Sequence, residues 1–373
     1  MVDTFGWYRV LYVPVSSSNA ARSAAAPGAP PPPSDTIACT VPTYSETRSE
    51  FATPREPTGQ RQGHRPEIAS SAHRLITVSD LIEYKNNRLP RTSLASDWKG
   101  SISRRALRRG MDLHVLDRGR IHSDLNFSLD GTAVATHSDR NPDLEYAEFA
   151  VWNLLVDHPE ATVLWDTGSH PEAADGHWPA PAYEAFAHPD ADERDLETAL
   201  GEVGFEVADI DVVVQSHLHL DHAGGLYHFE GTDVPVYVHR RELEHAYLSA
   251  NTDEGGTAYL PGDFDRELNW RVVGQQRHHL LDGVELLHVP GHTPGLLGAL
   301  IEREGEENVL IAGDAAFLEA NYEDGRSMGA SLLYDSRAAA ESIEFLRDLE
   351  RRYDARVVYG HDAEQFERIR EGL

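Results

Sequence analysis

His217-Leu218-His219-Leu220-Asp221-His222 places four potential metal ligands within six residues, directly after the apolar run Val212-Val213-Val214. Neutral imidazole and carboxylate bind zinc, manganese or iron, and three histidines with one aspartate this close have few other uses. A single histidine here would read as an ordinary core or solvated side chain. Four ligands crowded together and followed by Ala223-Gly224-Gly225 are hard to explain that way. The chemistry they point to is hydrolysis assisted by metal ions.

Three more strand ends carry similar residues. His292 lies in Pro290-Gly291-His292-Thr293-Pro294-Gly295, where the largely apolar stretch Val284–Val289 breaks into a turn. Asp314 ends the run Val309-Leu310-Ile311, and His361 follows Val357-Val358-Tyr359-Gly360. In each case an apolar strand delivers one polar side chain at its end, with Gly or Pro nearby to turn the backbone. Separate strand ends converging on one rim is how α/β folds build sites. Seven ligands are too many for one tetrahedral ion and suit two ions with open positions for water and substrate.

The ordered series His217, His219, Asp221, His222, His292, Asp314 and His361 resembles the metallo-β-lactamase superfamily signature. Asp166-Thr167-Gly168, after Thr162-Val163-Leu164-Trp165, resembles an early element of the same superfamily. Within it, Ser216–Gly225, Pro290–Gly295, Asn321-Tyr322-Glu323-Asp324 and Gly360-His361-Asp362 with Glu364-Gln365 look most like the N-acyl homoserine lactonase branch. The resemblance runs from about Met111 to the C-terminus. It implies that His217, His219 and His292 hold a first metal, that Asp221, His222 and His361 hold a second, and that Asp314 bridges them. Asp221 is also the expected catalytic carboxylate. The implied cofactors are two divalent ions, Zn2+ with Mn2+ or Fe2+ as alternatives. A hydroxide formed between them would attack a lactone or ester carbonyl, with N-acyl homoserine lactones as the favoured substrate. Asp166 and Asp362 are candidates to orient ligand imidazoles from behind, with a turn or surface role as the alternative.

One position departs from that branch. A tyrosine is expected three residues past the bridging aspartate, and this chain has Phe317. Loss of a hydrogen-bond donor at a developing oxyanion costs about 2.7–4 kcal/mol where it matters. Tyr322 and Tyr334 are near enough in sequence to supply a hydroxyl. Competing readings with the same ligands are a thioester hydrolase of glyoxalase II type and, more remotely, a diiron redox scaffold. The second normally has Glu where this chain has His219, and adds a flavodoxin module that is missing here.

Composition narrows the class further. The chain has 373 residues, 40% hydrophobic, enough for one large domain or two ordinary ones. Residues 1–110 hold 15 basic and 9 acidic side chains, and the remainder 18 basic and 53 acidic. Lys85 and Lys99 are the only lysines, so residues 111–373 use arginine alone as their cation. This balance suits a protein of a salt-accumulating microbe, in which surface carboxylates hold water and salt screens their repulsion. It disfavours nucleic acid as a partner. Cys39 is the single cysteine, which removes any intrachain disulfide and any thiolate ligand in residues 111–373. No apolar stretch approaches the roughly 20 residues of a membrane span. The expectation is a cytoplasmic enzyme acting on a small lactone or ester, with its oligomeric state open.

The supporting elements follow from the apolar pattern. Residues 1–110 are polar, with Ala24–Pro33 wholly Ala, Gly and Pro, and read as a disordered leader with one short helix at Leu75–Tyr84. The charge reverses just before Met111, so the leader is either a real basic tail or the result of a start assigned upstream of Met111. From there strands are expected at Leu113–Leu116, Phe149–Val156, Thr162–Trp165, Asp211–Gln215, Val234–His239, Val284–Val289, Val309–Ile311 and Arg356–Val358. Helices are expected at Glu193–Val203, from His222–Gly225 onward, at Arg240–Ser249, and after a cap at Asp335 or Ser336, with Ala339, Ile343, Leu346 and Tyr353 as its apolar stripe. His122 is placed in an early loop. His239, His245, His278 and His279 are read as surface residues, and Trp152, Phe229 and Phe317 as core or groove aromatics. The fold class is a four-layer αββα sandwich over residues 111–373.

Overall fold

The computed structural model describes residues 110–252 and 258–373. The expected leader, its helix and the alternative start therefore lie outside the described residues, apart from Gly110.

Strands β1 (Asp112–Asp124), β2 (Tyr146–Asp157), β3 (Thr162–Trp165), β4 (Val212–Val214), β5 (Pro235–His239) and β6 (Asn269–Val273) form one sheet in sequence order. Strands β7 (Arg277–Leu281), β8 (Val284–His288), β9 (Leu297–Ile301), β10 (Asn308–Gly313) and β11 (Ala355–Tyr359) form the second, in the order β11-β10-β9-β8-β7. The pairs β3–β4, β4–β5, β5–β6 and β10–β11 are parallel, and the rest are antiparallel.

Side chains alternate along each strand, and both faces are covered. Val163 and Trp165 of β3, Val212 and Val214 of β4, Ala299 and Ile301 of β9, and Val309 and Ile311 of β10 meet between the sheets. Their neighbours point outward. Leu164, Val213, Val236 and Val238 pack under α1 (Leu196–Glu202) and α2 (Arg240–Ala250), through Leu200, Leu243 and Ala246. On the other side Leu300, Leu310 and Val357 pack under α3 (Ser336–Tyr353), through Leu346 and Leu349. The layers are helix, sheet, sheet, helix, as the sequence led us to expect. Helix α4 (Ala363–Ile369) adds Phe366 and Ile369 to the core between the sheets.

Several local expectations need correction. β1 extends to Asp124, so His122 is in a strand and not a loop. β6, β7 and β9 were not anticipated. β7 reads Arg-His-His-Leu-Leu at a sheet edge, and β9 holds Gly and Ala, so neither shows a strong strand composition. No α-helix begins at His222–Gly225, where the chain makes turns before a short 3-10 segment at Leu226–Phe229. There the Gly224 N–H donates to Gly168 O across the site, and a Cβ on Gly224 would lie 2.1 Å from His170 N. The bridge to Gly168 and this close backbone approach hold the segment in turns against the neighbouring loop. α3 is capped by Asp335, whose carboxylate accepts from the N–H groups of Arg337 and Ala338.

Leu310 is fully buried at the centre of the outer core beneath α3. Leu310→Ala is expected to cost about 2–5 kcal/mol of stability. Thermal or denaturant unfolding of the two proteins measures it.

Candidate metal centre

All seven sequence-predicted ligands come together at one end of the sandwich. His217, His219, Asp221 and His222 leave the end of β4, and His292 follows β8 in the second sheet. Asp314 comes directly after β10, and His361 two residues after β11. Three sets of ligand atoms lie within 4.8 Å of one another: His217–His219–His292, His217–His222–Asp314 and Asp221–His222–His361.

Asp314 Oδ2 is the hub. It lies 3.6 Å from His217 Nε2, 3.5 Å from His222 Nε2, 3.4 Å from His292 Nε2 and 3.3 Å from His361 Nε2. Asp221 Oδ2 lies 3.5 Å from His222 Nε2 and 3.7 Å from His361 Nε2. His219 turns Nδ1 toward His292 Nε2, at 3.0 Å. Gly360 makes room for the hub, since a Cβ there would sit 2.6 Å from Asp314 Oδ1.

Four of the imidazoles are held at their other nitrogen. His217 Nδ1 meets Ser216 Oγ at 3.0 Å, His222 Nδ1 meets Asp166 at 2.9 Å, His292 Nδ1 meets Leu332 O at 2.6 Å, and His361 Nδ1 meets Ala150 O at 2.9 Å. A proton on Nδ1 directed outward leaves the Nε2 lone pair facing Asp314. Asp166 has φ of +57° and also accepts from the Ser216 N–H and O–H, both at 2.7 Å. Beneath this turn the buried Arg118 donates to Asn153 Oδ1 and Thr167 O, both at 2.6 Å. Burial pushes its pKa down to about 10.

The electrostatics fit cations. His217 Nε2, His222 Nε2 and Asp314 Oδ1 are buried without a hydrogen-bond partner, an unfavourable gathering of electron pairs unless a cation joins them. Burial holds His217 and His219 well below the usual histidine pKa, which keeps them neutral as ligands must be. Burial pushes Asp314 up, but the imidazoles of His361, His222 and His217 outweigh it and hold the carboxyl well below its usual range. Burial lowers His222, while the carboxylates of Asp221, Asp314 and Asp166 outweigh it and raise the group. Those carboxylates favour positive charge on this imidazole, from a proton or a metal ion alike.

Other expected site residues divide. Phe317 is at the centre, its ring 4.7 Å from that of His361 and 5.3 Å from that of His292. Tyr322 is not, because its hydroxyl donates to Glu350 in the outer core beside Tyr359. Tyr334 is 60% exposed, with its ring against His245. Asp362 caps α4 at Gln365 N and accepts from Glu319 N, so it holds a turn and orients no imidazole. Trp152 and Phe229 are core. His239 is buried, not superficial, and stacks on His288 at 3.8 Å. Arg118 and Glu242 are buried beside the site but are not legible in the sequence. Each is a charged residue inside an ordinary strand or helix pattern, and nothing in local composition marks it.

Residues 147–361 match the family model described as Metallo-beta-lactamase superfamily. The chain is 31% identical over 266 residues to N-acyl homoserine lactonase AiiB of Agrobacterium fabrum, covering 69% of this chain and 95% of that protein. It is 34% identical over 242 residues to an N-acyl homoserine lactonase of Bacillus sp, covering 63% and 91%. A solved N-acyl homoserine lactone hydrolase with the product N-hexanoyl-L-homoserine at its catalytic metal centre superposes with a TM-score of 0.59 at 27% identity, covering 69% and 96%.

Asp166→Asn preserves shape but leaves one of the donors from Ser216 or His222 without an acceptor. Metal affinity is expected to fall about ten- to hundredfold, as read by competition with a chelator of known strength.

Proposed function

The chain belongs to the metallo-beta-lactamase superfamily, and from that premise we propose that it is a dinuclear metal-dependent hydrolase that opens lactones, with N-acyl homoserine lactones favoured. The observation that carries this reading is the position of Asp314 Oδ2, within 3.3–3.6 Å of imidazoles drawn from both expected triads. One carboxylate facing both sets is the arrangement a bridging ligand needs. His217, His219 and His292 would hold one ion, Asp221, His222 and His361 the other, and zinc is the expected metal, with manganese or iron(II) also compatible with these donors. When bound, such ions supply an acidified water at neutral pH and polarise the carbonyl under attack.

The protein's own groups set the rest. Ser216, Asp166 and the carbonyls of Leu332 and Ala150 fix the imidazole tautomers and so keep the lone pairs aimed inward. Asp221 has a side chain 15% exposed against 2% for Asp314, so it is the carboxylate on the open side, placed to handle a proton. Phe317 puts an apolar ring beside His292 and His361 and excludes water there.

The surface charge favours a lactone over the thioester alternative. A glutathione thioester carries carboxylates, and 53 acidic against 18 basic side chains beyond residue 110 repel it. A neutral lactone meets no such barrier.

The purified protein is expected to contain two equivalents of transition metal and to lose hydrolysis on chelation. It should cleave a panel of N-acyl homoserine lactones at least about tenfold more efficiently than a glutathione thioester, a margin of roughly 1.4 kcal/mol. The reverse order would establish the thioester reading instead. Asp314→Asn should reduce lactone hydrolysis by more than about a hundredfold, since a ligand matters more than the groups behind it.

A further inference from the structure

A buried carboxylate outside the ligand set joins the two loops that carry His217, His219 and His292. Glu242 lies in the first turn of α2 and is fully buried. Its Oε1 accepts from Leu218 N at 3.0 Å and from the Tyr259 hydroxyl at 3.0 Å, and its Oε2 accepts from Gly295 N at 3.2 Å. Leu218 is the residue between His217 and His219, and Gly295 closes the turn that begins at Pro290 and carries His292. The ring of Tyr259 also lies against His219, with centroids 4.5 Å apart.

Two properties of this carboxylate go beyond packing. Each of these three contacts is a donor, so the carboxyl acts as an acceptor toward both loops; burial pushes its pKa up, and these hydrogen bonds oppose that. Among the described residues no basic side chain forms an ion pair with it, and its hydrogen-bond partners are two backbone amides and the Tyr259 hydroxyl. A carboxyl this deeply buried is costly to ionise without an opposite charge, and α2 carries it next to one of the two candidate ligand triads, where a bound cation would favour its charged form.

We infer that Glu242 is a positioning residue for the first metal site, spacing the imidazoles of His217, His219 and His292 by its hydrogen bonds and balancing the charge of the ion they hold. This rests on the dinuclear reading above. The imidazoles of the second triad are oriented through Asp166 and the Ala150 carbonyl, neither of which is a hydrogen-bond partner of Glu242. The consequence is selective: Glu242 governs one ion and not the other.

The test uses Glu242→Gln in the zinc-loaded full-length protein. Chelator competition counts the ions and their affinities, and cobalt substitution reports the first site by its visible spectrum. The variant is expected to keep one ion at wild-type strength and hold the other about ten- to hundredfold more weakly. Its kcat should fall at limiting zinc and recover in excess zinc, with KM nearly unchanged. Two ions of wild-type strength, or two weakened equally, would overturn the inference. Should Glu242→Gln fail to fold, Tyr259→Phe removes one donor yet keeps the ring beside His219. A several-fold weakening of the same single ion is then expected, and unaltered affinity for both ions overturns the inference. A wild-type protein without two equivalents would sink the dinuclear reading, whereas a two-ion wild type with an unaffected Glu242→Gln sinks this inference alone.

Discussion

The interaction on which this structure depends is the gathering of electron pairs around the Asp314 carboxylate. Four imidazole nitrogens lie within 3.6 Å of one oxygen, and buried atoms in the cluster have no hydrogen-bond donor. Lone pairs collected away from water repel one another, and water cannot compensate them. Positive charge converts the repulsion into attraction. The protein must therefore be stiff enough to hold these groups together, and the two sheets provide that stiffness.

The cluster sits where it does because strands from both sheets end at one rim. β4 contributes the loop with three histidines and an aspartate, while β8, β10 and β11 contribute one candidate ligand each from the opposite sheet. Across this seam the chain spends polar groups on orientation. Side chains or carbonyls hold four imidazoles from behind, Asp166 accepts a left-handed backbone to do so, and Glu242 fastens the β4 loop to the β8 loop. Arg118 contributes a buried cation that meets carbonyl oxygens, bracing the turn on which Asp166 stands. These polar groups are as deeply buried as the core, so the site and the fold are stabilised by the same contacts.

Phe317 gives this centre a character of its own. An apolar ring lies against the imidazoles of His292 and His361, and the nearby Tyr322 sends its hydroxyl to Glu350 on the other side of the second sheet. Position in the sequence made Tyr322 a candidate for the site. What excludes it is direction: it belongs to the outer core beneath α3 with Tyr359 and Leu346, whose packing turns it away from the rim.

Much of the chemistry was legible in the chain itself. Residue type and spacing in His217–His222 point to a metal loop, and apolar runs ending in His292, Asp314 and His361 point to strand ends, because period and ligand preference are local properties; the fold brings all seven side chains together. The long amphipathic stripe and Asp335 cap of α3 were legible for the same reason. Tertiary structure decided the rest. β7 and β9 are strands because their neighbours pair with them, and Gly224 lies in a turn where its backbone packs against the Gly168–His170 loop. Asp362 serves α4, His239 stacks inside, and Glu242 and Arg118 gain their roles from loops far away in sequence. Residue type tells what a side chain can bind, but burial, direction and the partner across a seam exist only once the chain has closed on itself.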